Sequence, residues 1–270
     1  MVRMNATLPG NSVHVKSYTT SKPWSHGLTS VPRVSDAGRL AAEVRAAIQP
    51  QDPEGPILRL EPLCRAARVR VIKRDLGSVS GGAEAVLVPQ PKDRFHIWVD
   101  PTPRGGWQIA PTLRVAVRRH RLRFRVAHEI AHTLFYRRNG GEPDRLLGDS
   151  PQQERFADEF ARALLVPPAL VATIEASPQG VLDLQRLCDV SLEVALRALV
   201  ASRLDVTAAL TYWPVASGPD QARVQWMSDG LPVSDVGWLR ASAKSLRGSV
   251  LTLEDRCQQL FVSVGVPAHP

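Results

Sequence analysis

Cysteine is scarce in this chain: Cys64, Cys188 and Cys257 are far apart, odd in number and in no metal-ligand spacing. That excludes a disulfide framework and a thiolate zinc cluster, and the three read as reduced, largely buried thiols. No apolar run of signal-peptide length opens the sequence, and nowhere do eighteen apolar residues follow one another. Secretion and membrane spanning are argued against, and a soluble cytoplasmic protein is expected. Apolar periodicity is missing from Met1 to about Pro32, a stretch rich in Ser, Thr, Gly, Pro and Asn, so residues 1–34 read as a disordered tail.

Acidic residues are nearly absent from positions 103 to 138. Arg104, Arg114, Arg118, Arg119, Arg121, Arg123, Arg125, Arg137 and Arg138 stand there against the lone acid Glu129, an excess that equals the whole net charge of +8. A local basic face of this kind either steers an acidic partner or simply solvates the surface. Arg118, Arg119 and Arg121 are the candidates for steering.

What is present is dominated by the run from Arg123 to Phe135, which contains His128-Glu129-Ile130-Ala131-His132. On a helix, positions four apart share a face, so His128 and His132 can aim at one metal ion. Glu129 sits about 100° round the helix from His128, placed to reach a water on the metal instead of the metal itself. Val126, Ala127, Ile130, Ala131, Leu134 and Phe135 form the adjoining apolar stripe that would bury this helix.

A catalytic zinc takes three protein ligands, and the next predicted helix offers the third. Ser150 reads as its N-cap, Pro151 as its first residue and Pro167-Pro168 as its stop. Glu154 and Asp158 then share a face. Glu154 can ligate the metal, and Asp158 can accept the free ring N–H of a ligating histidine. Two histidines and one carboxylate suit zinc, and manganese accepts the same set.

The remaining segments read as follows. Ser35 caps a helix to Ile48, and a second helix runs from Ile57 to Ala67. Short strands follow at 69–72, 85–88 and 94–99, with Phe95, Ile97 and Val99 alternating cleanly in the third. After Pro168, a helix at 169–176 precedes a helix, tight turn, helix pattern at 181–188 and 190–199, with Ser191 as N-cap. Its second helix is too apolar to read DNA, which points to a packing or docking unit. Strands at 208–213, 223–227 and 259–264 with a helix near 235–246 make a small C-terminal unit, and Trp213, Trp226 and Trp238 read as core.

The His-Glu-x-x-His run, the lead-in Arg123-Phe124 and the Glu154-x-x-Ala157-Asp158-x-Phe160-Ala161-x-x-Leu164-Leu165-x-Pro167 helix together resemble the ImmA/IrrE family of metallopeptidases, which act on transcriptional repressors. Val166 and Arg125 depart from its usual pattern. The resemblance implies an α+β, zincin-like domain over 35–172, made of a small three-stranded sheet and the active-site helices. A helix-turn-helix unit at 173–204 and a small α+β unit at 205–270 would follow. It implies His128, His132 and Glu154 as zinc ligands and Glu129 as general base. It also makes the third strand, through Phe95, Ile97 and Val99, the edge that pairs with extended substrate. The function implied is zinc-dependent cleavage of a cytosolic helix-turn-helix repressor, with direct DNA binding and membrane association not expected. The alternative is a non-catalytic module that sequesters a repressor, its metal structural or absent.

Overall fold

A computed structural model describes residues 32–76, 84–100, 111–146, 150–203, 205–212, 223–228, 248–253 and 258–264. The expected tail up to residue 31, the expected helix at 235–246, Trp213, Trp238 and Cys257 lie outside the described residues.

The polypeptide is a mixed α+β structure of seven helices and three small sheets among the described residues. Helix α1 (Ala37–Ile48) follows a 3-10 turn at Val34–Asp36, so Ser35, expected as a cap, lies inside that turn. Helix α2 (Leu60–Ala66) leads into strands β1 (Val69–Lys73), β2 (Ala85–Gln90) and β3 (Arg94–Val99). Helix α3 (Pro111–His132) begins at a proline, whose fixed φ and missing N–H suit a first helical position. Two-residue strands β4 (Tyr136–Arg137) and β5 (Asp144–Arg145) pair with each other between α3 and α4. Helices α4 (Pro151–Leu165), α5 (Pro168–Thr173), α6 (Pro178–Cys188) and α7 (Leu192–Ser202) follow. Ser150, Ser177 and Ser191 cap α4, α6 and α7, each Oγ accepting a backbone N–H three residues on. Strands β6 (Val206–Tyr212), β7 (Arg223–Met227), β8 (Gly248–Leu253) and β9 (Gln258–Val264) form a sheet in the order β7-β6-β9-β8.

The order of the first sheet is β1-β3-β2, with β1 parallel and β2 antiparallel to β3. This corrects the expectation for the third strand. Phe95, Ile97 and Val99 are buried on the core face of a central strand, and both edges of β3 are already paired, so no substrate can add to it. Alternation in the sequence reports that one face of a strand is buried; it carries no information about which strands flank it.

A single core runs through the molecule. Val126, Ala127, Ile130, Ala131, Leu134 and Phe135 of the α3 region are all buried against Phe156, Phe160 and Leu164 of α4. Phe135 meets Phe156 edge-on at 5.2 Å between centroids, and Phe156 stacks on Phe160 at 5.9 Å. Arg45 of α1 is fully buried, donating from Nε to Pro53 O at 2.7 Å, from Nη1 to Leu164 O at 2.5 Å and from Nη2 to Gly55 O. The Leu164 carbonyl belongs to the last turn of α4, where the helix dipole favours a cation. Helices α6 and α7 pack between this core and the C-terminal sheet, and Trp226 of β7 lies half-buried against Arg197 of α7, 5.4 Å from ring centroid to guanidinium.

Candidate metal centre

The last turn of α3 carries His132 and the turn before it His128, and the first turn of α4 carries Glu154. The packing of α3 on α4 brings the three together. His128 Nε2 and His132 Nε2 are 3.1 Å apart; Glu154 Oε2 is 3.2 Å from the first and Oε1 3.3 Å from the second. Ligands held tetrahedrally at zinc-like distances of about 2.0–2.1 Å lie roughly 3.3 Å from one another. The donor set therefore fits a divalent ion in both chemistry and spacing, and it is the one group of this kind among the described residues. Both histidine side chains are nearly buried, whereas that of Glu154 is 58% exposed. The site is closed on the helix side and open on the other.

Asp158, one turn beyond Glu154, accepts from His128 Nδ1 at 2.9 Å. That bond fixes the proton on Nδ1 and turns the Nε2 lone pair toward His132 and Glu154. Burial pushes the His128 pKa down, but the Asp158 hydrogen bond and the charges of Glu129, Asp158 and Glu154 outweigh it, so the ring stays above its ordinary value. Burial likewise pushes Asp158 up, and its bond to His128, with the nearby charges of His128, Arg197 and Arg125, holds it below the ordinary carboxylate value.

Glu129 is 9% exposed and lies between the ligand triangle and the Leu87 backbone of β2, interacting with the charges of His128 and Glu154. Burial raises its pKa, against the opposing charges of His128 and Arg125 and a hydrogen bond from the Leu87 backbone N–H. A buried carboxylate beside a candidate metal site but not part of its ligand triangle is placed to exchange a proton with a water there.

Among the described residues, strand β2 is the edge of its sheet beside this site. Asp100 N donates to Glu84 O at 2.9 Å, so 84/100 is a hydrogen-bonded pair; by alternation Val86, Val88 and Gln90 bond to β3 while Ala85, Leu87 and Pro89 face outward. The bond from Leu87 N–H to Glu129 agrees with this parity. Pro89, which cannot donate, is tolerated at an outward position of an edge strand.

The arginine-rich half of α3 is divided. Arg119, His120 and Arg123 converge on Asp189, the left-handed residue (φ 53°) that ends α6: Arg119 by a short ion pair, His120 Nε2 at 3.1 Å and Arg123 Nε at 3.6 Å. Arg121 and Arg125 instead reach Glu84, at 3.3 and 3.4 Å. Arg118 is exposed. Of the three expected steering residues, Arg119 is thus committed to the scaffold, while Arg118 and Arg121 lie on the face that leads to Glu129. Sequence reasoning missed Glu84, Leu87 and Asp189. Pro89 within an apolar run is the signal that marks β2 as an edge; a backbone N–H and an acid that pairs across the fold leave none.

No helix among the described residues is long and apolar enough to cross a membrane. No curated protein matches the chain. The family model of the IrrE N-terminal-like domain, a peptidase family, matches residues 83–200, from the strand beside Glu129 through the helices that carry His128, His132 and Glu154 to α7.

Proposed function

We propose that this protein is a metal-dependent endopeptidase whose substrate is a helix-turn-helix transcriptional repressor. The observation that carries the catalytic part is the ligand triangle of His128, His132 and Glu154 at 3.1–3.3 Å, with a buried Glu129 beside it and an open strand edge alongside. These three side chains would hold zinc or manganese, which would supply Lewis acidity toward a water and a peptide carbonyl. Glu129 takes the proton of the attacking water and returns it to the leaving amine. Its buried position keeps that proton from bulk solvent, and the Leu87 N–H holds the carboxylate in place. Asp158 orients His128. The extended substrate lies along Ala85, Leu87 and Pro89, which takes over the role expected of β3. Because that edge is rich in carbonyls and poor in free N–H groups, the substrate backbone does most of the donating.

The choice of a repressor rests on the family resemblance. A repressor's linker can enter such a cleft in extended form, and one cut between its DNA-binding and dimerising parts removes simultaneous reading of two half-sites. Derepression follows from one event.

The test is incubation of the purified chain with candidate repressors, with and without chelator, beside Glu129→Gln. That variant keeps the shape and the metal ligands while losing proton transfer, and about 10²- to 10⁴-fold of the rate is expected to go with it. Cleavage at the wild-type rate by Glu129→Gln would refute the mechanism. Derepression in cells by both forms, with no cleavage by either, would establish the sequestering module instead.

A further inference from the structure

Three arginines of α3, Arg118, Arg121 and Arg125, fall within about a 100° arc that also contains Glu129 and His132. They line the approach to the metal centre along the helix. Arg125 lies one turn and Arg121 two turns before Glu129, roughly 6 and 12 Å along the axis. Strand β2 runs beside this face in the same direction, since Glu84 meets Arg121 and Arg125 while Leu87 meets Glu129. From Leu87 back to Glu84 is three residues, about 10 Å of extended chain. The arginine pair and the end of the open edge therefore meet at one place.

Glu84 does not exhaust this charge. Its Oε1 takes one nitrogen of Arg121 at 3.3 Å and its Oε2 one nitrogen of Arg125 at 3.4 Å, and both arginine side chains are 42% exposed. Each guanidinium has five N–H donors in a fixed fork, so donors remain on both after the single contact to Glu84. Two cations share one anion, with exposed Arg118 a turn away. Glu84 acts as a brace that fixes the forks in position, and preorganised forks recognise carboxylates well.

We propose that Glu84, Arg121 and Arg125 form a specificity subsite for an aspartate or glutamate side chain of the extended peptide, about three residues from the bond that is cut. The inference rests on the peptidase reading and adds a substrate feature to it. Arg121 and Arg125 determine specificity by contact with the bound peptide and take no part in the bond-breaking step.

The experiment uses the full, zinc-loaded chain and a peptide library made by digesting a denatured proteome, with cut positions read by mass spectrometry. Acidic residues are expected to be enriched two to four positions from the cut, on one side of it. For a peptide chosen from that set, the ratio of kcat/KM between the acid and its amide twin is expected to be about three- to tenfold, carried by KM. Arg121→Gln is expected to bring the ratio toward one, Glu84→Gln to raise it by freeing both forks, and Arg121→Glu to move the preference to lysine. Cleavage without acidic enrichment, or an acid-to-amide ratio that Arg121→Gln leaves unchanged, would overturn the subsite and leave the peptidase standing. No cleavage of any library member would overturn both.

Discussion

The two halves of α3 are built alike and behave differently. In each, carboxylates from other elements converge on side chains of one helix: Asp189 and Glu84 on the arginines from Arg119 to Arg125, with His120 among them, and Asp158 and Glu154 on His128 and His132. Arginine cannot give up its proton in a protein, so its pairings are permanent and serve to fix the helix to its neighbours. Histidine can, so the second set can exchange a proton for a metal ion. The same architecture becomes a brace or a site according to whether the cation is labile.

The most disruptive way to break the brace is at Asp189. His120 and Arg123 side chains are only 11% exposed, and removing their carboxylate leaves His120 Nε2 without its hydrogen bond and the Arg123 guanidinium without its counter-ion. Asp189→Ala also puts alanine at φ 53°. A loss of about 3 kcal/mol is expected in urea unfolding, and Asp189→Asn, which tolerates the left-handed backbone, should lose less. Equal stability of wild type and Asp189→Ala would mean that the pairing does not hold α3.

Breaking the labile half should spare the fold and cost the metal. Asp158→Asn is expected to weaken metal binding about 10- to 100-fold, and Glu154→Ala to leave well under one ion per chain, both measured by competition with a chromophoric chelator. Unchanged affinity in Asp158→Asn would remove it from the support of His128.

A pH series sharpens the contrast further. The metal must displace a proton from His128, whose pKa lies above the ordinary 6.5. Metal affinity is therefore expected to rise with pH through a midpoint above that value, and the midpoint to fall in Asp158→Asn. In the metal-free chain the signs are separate. The stabilisation from His128 is full below 6.5 and lost as pH rises through its raised value; that from Asp158 is present above 3.8 and lost as pH falls through its lowered one. The Asp189 cluster has one labile member, His120, whose pKa burial holds below the ordinary 6.5, so its contribution should be level above that value and be lost only as pH falls below it. A metal affinity flat from pH 6 to 8 would contradict the account of His128.

The smallest effect is expected at the outer arginines. Arg121 and Glu84 are partly exposed, and Arg121→Gln should change stability by no more than about 0.5 kcal/mol. A loss as large as that of Asp189→Ala would show both arginine faces to be structural.

Local signals made the site legible. The Ser150-Pro151 start and Pro167-Pro168 stop bound α4 as read, and the apolar stripe from Val126 to Phe135 is buried residue for residue. Spacing within two helices was then enough to place His128, His132 and Glu154 on facing surfaces. Sheet order was not legible, because the parallel pairing of β1 with β3 depends on the chain's path and not on any residue of β3. Strand β8, opening on Gly248-Ser249, has a start that resembles a turn, and the Ser177-Pro178 start of α6 carries the same signature as that of α4 but was placed three residues late. Asp189 reads in sequence only as the end of a helix. Its three partners come from 66 to 70 positions away in the chain, and no local pattern announces them.

Pro89 has a consequence beyond the cleft. An open strand edge next to a buried core is a template on which two copies of a protein can zip together. Of the three outward residues of β2, Pro89 has no N–H and that of Leu87 is turned to Glu129, which leaves Ala85 as the outward donor. Two such edges brought face to face would meet mostly carbonyl against carbonyl. On the proposed peptidase reading, the strand left exposed to accept a foreign chain is thereby a poor partner for itself, so the edge that would receive substrate resists pairing with a second copy.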